Sequence, residues 1–169
     1  AEAMFEAKMT AIDWTGRSSW STGNGDIATV IAEKARCSDL VLLRQEDSER
    51  DVGVFENVPD NVILAAGRPV LVIPYIGFGD RLGSSVLVAW NNTREAARAV
   101  SDALPLLAQA ERVEILSANP EEGEDVPGAG LARYLSEHGI TAETSRTLSK
   151  DIDVGDMLLN DSAENDHDL

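Results

Sequence analysis

The stretch SSVLVAWNNTREAARAV, residues 84–100, sets out a fold in the order of its residue types. Val86, Leu87, Val88, Ala89 and Trp90 form a continuous apolar run, not an alternating one. A strand with both faces covered reads this way, and such strands belong to parallel sheets lying between layers of helices. Asn91, Asn92 and Thr93 make a short polar turn, and Thr93 stands where a helix N-cap belongs. The alanine-rich run that follows reads as a helix through residue 110, with Pro105 expected to kink or divide it.

The same alternation extends in both directions. Residues 40–43 and 70–73 are further continuous apolar runs and read as parallel strands, as do 86–89 and 113–116, the last with Glu114 inside it. Residues 27–36 carry Ile27, Val30, Ile31 and Ala35 at close to helical spacing, with Asp26 placed to cap them. Residues 131–137 form a shorter amphipathic helix that Gly139 is placed to stop. Strand and helix alternating in this way define an α/β protein with a doubly wound parallel sheet.

Charge narrows the partners. The chain of 169 residues holds 30 Asp and Glu against 14 Lys and Arg, a formal net charge of -16. A surface this negative repels phosphodiester backbones and anionic lipid, and Arg94, Arg98 and Arg112 are scattered among acids with no basic patch, so neither nucleic acid nor membrane is an expected partner. The greasiest run, residues 69–78, is broken by Pro74 and Gly77 and is too short to span a bilayer. Cys37 is the sole cysteine, so no internal disulfide forms, and no basic-then-apolar leader opens the sequence. Both features lead to the expectation of a reducing, cytoplasmic location.

Two segments echo one another. GDIATVIAEKARCSDL, residues 25–40, resembles VGDMLLNDSAENDHDL, residues 154–169, and residues 3–14 resemble residues 132–145 at nearly the same offset. Two echoes at one spacing suggest a duplicated domain. The chain then reads as the back half of one repeat (residues 1–76), a turn-rich linker (77–84) and the front half of the next (85–169).

VLVAWNNTREAARAVSDALPLLAQAERVEILSAN is similar to the first strand, first helix and second strand of a universal stress protein domain. SDLVLL followed by NVILAAGRPVLVIP is similar to that family's fourth strand, last helix and fifth strand. The resemblance extends over nearly the whole chain, and GRPVLVIP and VAW with TREAARA carry it most specifically. It implies a Rossmann-like sheet, of the type shared with adenine nucleotide alpha hydrolases, of five parallel strands in the order 3-2-1-4-5. Many members of the family bind ATP or AMP, using an Asp after strand one and a glycine-rich loop after strand four. Here Asn91 stands where the Asp is expected, and an amide brings no charge to help hold a metal. After the first-copy fourth strand come Arg44, Gln45, Glu46, Asp47 and Glu49, whose acids repel phosphate and whose side chains fill the space that glycine would leave. The first copy is therefore expected to bind no nucleotide.

The candidate nucleotide contacts lie in the second copy: Ala89, Asn91, Asn92 and Thr93 at the end of the first strand, and Ser117 at the end of the second. Ligands of open α/β sheets bind at the carboxyl ends of the strands. Thr93 serves equally as a plain helix cap. Other motifs carry less. GNGDIA (residues 23–28) fits a dinucleotide fingerprint but follows no strand, and no phosphate-binding G-x4-G-K-S/T is present. His138 and His167 have no nucleophile at a recognisable spacing and read as separate surface histidines. The tail NDSAENDHDL lacks the spacing of a calcium loop and reads as a solvated helix end. Trp90 is expected to pack in the core, whereas Trp14 and Trp20 flank a polar loop and suit either a core or a partner.

No catalytic residue and no metal ligand are assigned. The expected function is that of a stress-response binding and regulatory protein with ATP or AMP in the second repeat. The alternatives are a weak ATP hydrolase and a scaffold that has lost its nucleotide sites. Pairing through the edge strand Val70–Ile73 is expected to give a homodimer or a dimer-like pair of repeats.

Overall fold

A computed structural model describes residues 1–47, 53, 57–77, 82–120 and 126–169. Residues 78–81 of the expected linker, and Glu49, lie outside them. In chain order the elements are α1 (Glu2–Ala11), a 3-10 turn (Thr15–Arg17), α2 (Ile27–Ala35), β1 (Val41–Arg44), α3 (Val58–Ala66), β2 (Val70–Ile73), β3 (Ser85–Ala89), α4 (Arg94–Leu107), β4 (Arg112–Ala118), α5 (Ala129–Glu137), β5 (Glu143–Thr147) and α6 (Val154–Glu164). The chain divides into two compact units, Ala1–Val70 and Leu71–Leu169. Among the described residues no helix is long and apolar enough to cross a membrane.

The second unit holds a three-stranded sheet in the order β3-β4-β5, and both pairings are parallel. In the β3–β4 register Val86 meets Val113 and Ala89 meets Leu116. Residues 168 and 169 run along the other side of β3: Leu87 N donates to the Leu169 carbonyl at 2.8 Å, and Asp168 N donates to the Ser85 carbonyl at 2.9 Å. β3 is therefore flanked on both sides. Along β4 successive side chains face opposite ways. Val113 and Ile115 join Val86, Val100, Leu107, Leu131, Leu135 and Ile140 in one core beneath α4 and α5. Glu114 and Leu116 point to the opposite face, where Asp161 of α6 lies close to Glu114.

The helix ends follow the sequence signals. Thr93 Oγ1 accepts from Ala96 N, and Asp26 accepts from Thr29 N at 2.8 Å, so both residues cap as expected. The Thr29 backbone and hydroxyl bonds hold the Asp26 carboxyl below the usual range. Gly139 ends α5 with a left-handed backbone, φ +77°, and Ile140 N reaches back to the Leu135 carbonyl at 3.0 Å. This is the glycine-closed helix end in which a left-handed residue turns the chain away. Gly128 opens α5 at φ +80°, and a Cβ there would fall 2.8 Å from Ile115 Cγ2, so the strand and the helix start approach only because that atom is missing.

Several expectations need correction. α4 runs through Pro105 without a break, because a proline in the last turn removes one donor and leaves the rest of the ladder intact. β1 begins at Val41, one residue later than expected, and Leu42 on it is 63% exposed, so this strand is not covered on both faces. The described strands form a two-stranded sheet, β1-β2, and the three-stranded sheet, with no single sheet running 3-2-1-4-5. β5, with the polar sequence ETSRT, is a strand that no apolar run announces.

The first unit builds its core from small side chains. Ala28, Ala32 and Ala35 of α2, spaced four and three, meet Val58, Val62 and Ala66 of α3, each four apart. That spacing places them on one face of each helix. α1 buries none of its residues. Phe5 lies 5.5 Å from Trp20 between ring centroids, and Arg17 sits over Trp14 at 6.0 Å. Trp14 and Trp20 are both exposed, whereas Trp90 packs against the core of the second unit.

Candidate functional site

The carboxyl ends of β3, β4 and β5 lie side by side, and the turns that leave them form the candidate site. From β3 the chain crosses to β4 and then to β5 on one side; after α6 it returns to the opposite side of β3 at residues 168–169. The direction of winding thus reverses at β3. In open α/β sheets a crevice opens at the carboxyl ends of strands where such a reversal occurs.

The expected contacts take the following places. Ala89 ends β3, and Trp90 N continues the ladder to the Leu116 carbonyl at 2.9 Å. Asn91 Oδ1 accepts from Thr93 Oγ1 at 2.8 Å and from Thr93 N at 3.3 Å. Asn92 has a left-handed backbone, φ 57°, which a short amide side chain tolerates. Asn91, Asn92 and Thr93 are all exposed, so the structure brings them together at the mouth of the turn. Ser117 is buried on β4, one residue beyond Leu116, and is not exposed beside that trio.

Arg94, the first residue of α4, is ion-paired with Glu95, and this guanidinium holds the Glu95 carboxyl below its usual range. Beyond β4, Asn119 also has a left-handed backbone. Its backbone N–H donates to the Thr147 carbonyl at 2.9 Å, and its Oδ1 accepts from Ser149 N at 2.9 Å. Asn119 therefore joins the turns that leave β4 and β5. No apolar pattern marks this residue; an Asn directly after a strand was the available signal.

A second polar assembly lies on the α6 face of the sheet, and there the sequence reading of His167 is overturned. The His167 side chain is 0% exposed. Its Nδ1 is 3.0 Å from Ser85 Oγ and its Nε2 is 3.3 Å from Glu114 Oε2. Glu114 also accepts from Ser145 Oγ at 2.6 Å and from Arg112 Nη2 at 2.7 Å. The tail is not a solvated helix end, because residues 167–169 turn back onto β3. Glu114, Asp161 and His167 bring three possible ligand atoms within 4.8 Å of one another. The Arg112 guanidinium already rests on the Glu114 oxygen that faces His167, so the positive charge a cation would bring is present, and the assembly is a satisfied buried network. Next to it, the Asp168 carboxylate accepts from Gly83 N, Ser84 N and Ser85 N at 3.1, 3.1 and 2.9 Å. Burial works to raise its carboxyl, but these three N–H groups outweigh that and hold it below the usual range. His138, by contrast, lies at the exposed end of α5, where its Nδ1 is 3.0 Å from the Tyr134 carbonyl oxygen.

Strands, covering helices and the crossover at β3 define an α/β fold of the universal stress protein kind. No family model matches the sequence, and no curated protein does. Among solved structures, the chain superposes on a universal stress protein from Archaeoglobus fulgidus DSM 4304 with a TM-score of 0.72 and 16% sequence identity. The match covers 99% of this chain and 64% of that one, so this chain spans less than two thirds of the length of the protein it resembles. At that identity the likeness establishes the fold.

Proposed function

We propose that this chain is a binding and regulatory module of the universal stress protein kind, made of the back half of one repeat and the front half of the next. It holds AMP or ATP at the carboxyl end of β3, through Ala89, Asn91, Asn92 and Thr93, with the buried Ser117 reached only if the end of β4 opens to the ligand, and catalyses no turnover. The observation that carries this reading is the reversal of winding at β3, with the Asn91–Thr93 turn exposed at its carboxyl end. The like fold of a universal stress protein supports it.

A second reading is favoured by one detail. Asn91 Oδ1 is already engaged by both donors of Thr93, as in a turn that has no ligand to wait for. In that reading the chain is a scaffold without nucleotide, pairing through Val70–Ile73. Native mass spectrometry of the chain with AMP or ATP separates the two. A bound nucleotide mass that is lost in Asn91→Ala supports the binding reading. Unliganded chain alone at saturating nucleotide removes that reading and leaves the scaffold, for which the same spectrum must show a dimer.

A further inference from the structure

The first unit carries an open groove beside α1, with a volume of about 450 Å³. Phe5, Met9 and Trp20 line it together with Glu2 and Glu6. Residues 2, 5, 6 and 9 lie three and four apart along α1 and therefore share one face of the helix. Trp20 enters from the segment after the 3-10 turn, its ring 5.5 Å from that of Phe5 and tilted by 44°. α1 buries none of its residues, and Ile12, seven positions after Phe5, is 59% exposed. Apolar surface left in water in this way, aromatic in part and rimmed by carboxylates, marks a contact site.

We propose that this groove binds a basic amphipathic segment of a partner protein, with apolar side chains against Phe5, Met9 and Trp20 and lysines or arginines on Glu2 and Glu6. Charge selects that occupant. The groove is lined by two carboxylates and by no lysine or arginine. Among the described residues neither Glu2 nor Glu6 is held in an ion pair. A second copy of this chain would bring its own net charge of -16 against the same carboxylates, and nucleic acid or anionic lipid meets the same repulsion. A cationic segment is attracted by both the rim and the chain as a whole. The unit already shows the contact in miniature, since the Arg17 guanidinium rests over the Trp14 ring at 6.0 Å. The flexible thioether of Met9 adapts to side chains of different shape. At ten residues α1 is about 15 Å long, which matches roughly three turns of a helix laid along it.

The test titrates the whole chain into a labelled peptide of about 14 residues, leucine and lysine set at helical spacing, and into a scrambled peptide of the same composition, at about 0.15 M salt. Fluorescence anisotropy should show the patterned peptide bound at least about tenfold more tightly than the scrambled one. Trp20→Ala should weaken the patterned peptide by at least about tenfold. Glu2→Gln combined with Glu6→Gln should weaken it several-fold and leaves Phe5 and Trp20 in place, so it reports on the groove even where Trp20→Ala loosens α1. Glu143→Gln combined with Glu164→Gln removes the same charge from exposed positions of the second unit and should change little. No binding, equal binding of the two peptides, or equal losses from the two glutamine pairs overturns the proposal. A dimer of the chain that Trp20→Ala dissociates overturns it as well, because the groove is then filled by a second copy.

Discussion

Substituting Asp168 should cost the second unit a large part of its stability, and the cost should be tied to pH. The carboxylate accepts three backbone N–H bonds from residues 83–85, while the backbone of 168 and 169 pairs with β3. A charge-assisted hydrogen bond contributes about 1.5–3 kcal/mol net when buried. Here the three donors share one carboxylate that is only partly buried, and water replaces some of what is lost, so Asp168→Ala should cost about 2–4 kcal/mol in total. For a unit of this size each kcal/mol lowers Tm by about 4–8 °C, which predicts a fall of at least roughly 8 °C at neutral pH. Trp90 reports on the second unit, and a Trp14→Phe, Trp20→Phe background removes the signal of the first. The sign of the pH dependence follows from the lowered carboxyl. A carboxyl depressed in the folded state stabilises it above the unfolded value of about 3.9, and that stabilisation is lost as pH falls through the folded value. The gap between the wild type and Asp168→Asn should therefore be full near pH 7 and close in acid. A Tm for Asp168→Ala within a degree or two of wild type, or a gap to Asp168→Asn that persists unchanged into strong acid, would refute the clamp.

Two other substitutions or conditions probe separate features. Gly128→Ala should destabilise the second unit by about 2–4 kcal/mol, since it combines a left-handed backbone with a Cβ driven against Ile115; denaturant titration giving less than about 1 kcal/mol would show that the helix start relaxes freely. Raising salt from low concentration to about 1 M should raise Tm by several degrees, because the net charge of -16 repels itself and screening relieves that repulsion. A Tm that stays flat or falls with salt would mean that local ion pairs outweigh the net charge.

How much of this was legible depends on which force fixes each element. β3 and β4 carry most of the core of the second unit, so they are written mainly in apolar residues, with Glu114 and Ser117 the polar exceptions on β4. α2 and α4 announce themselves by capping side chains, Asp26 and Thr93, that act over three residues. β5 lies at a sheet edge with much of its surface in water, so ETSRT shows no apolar run and the sequence reading left it out. β1 misled in the other direction: Leu42 sits in a convincing apolar run yet faces outward. At the candidate site, the Asn91–Thr93 turn was legible because strand, turn and helix are contiguous. The burial of His167 was not, because its partners Ser85 and Glu114 lie 82 and 53 residues away and its sequence neighbours are acids. Long-range pairing of this kind leaves no local trace in a single sequence.

The two hydrophobic centres hold unequal reserves. Where α2 meets α3 the contact is made by alanine and valine, and each alanine withdraws far less apolar surface from water than the leucines and isoleucines beneath α4 and α5. Thermal agitation should therefore loosen the amino-terminal helices at temperatures the carboxyl-terminal sheet still withstands. The turn above β3 should then outlast the early melting of the amino-terminal helices.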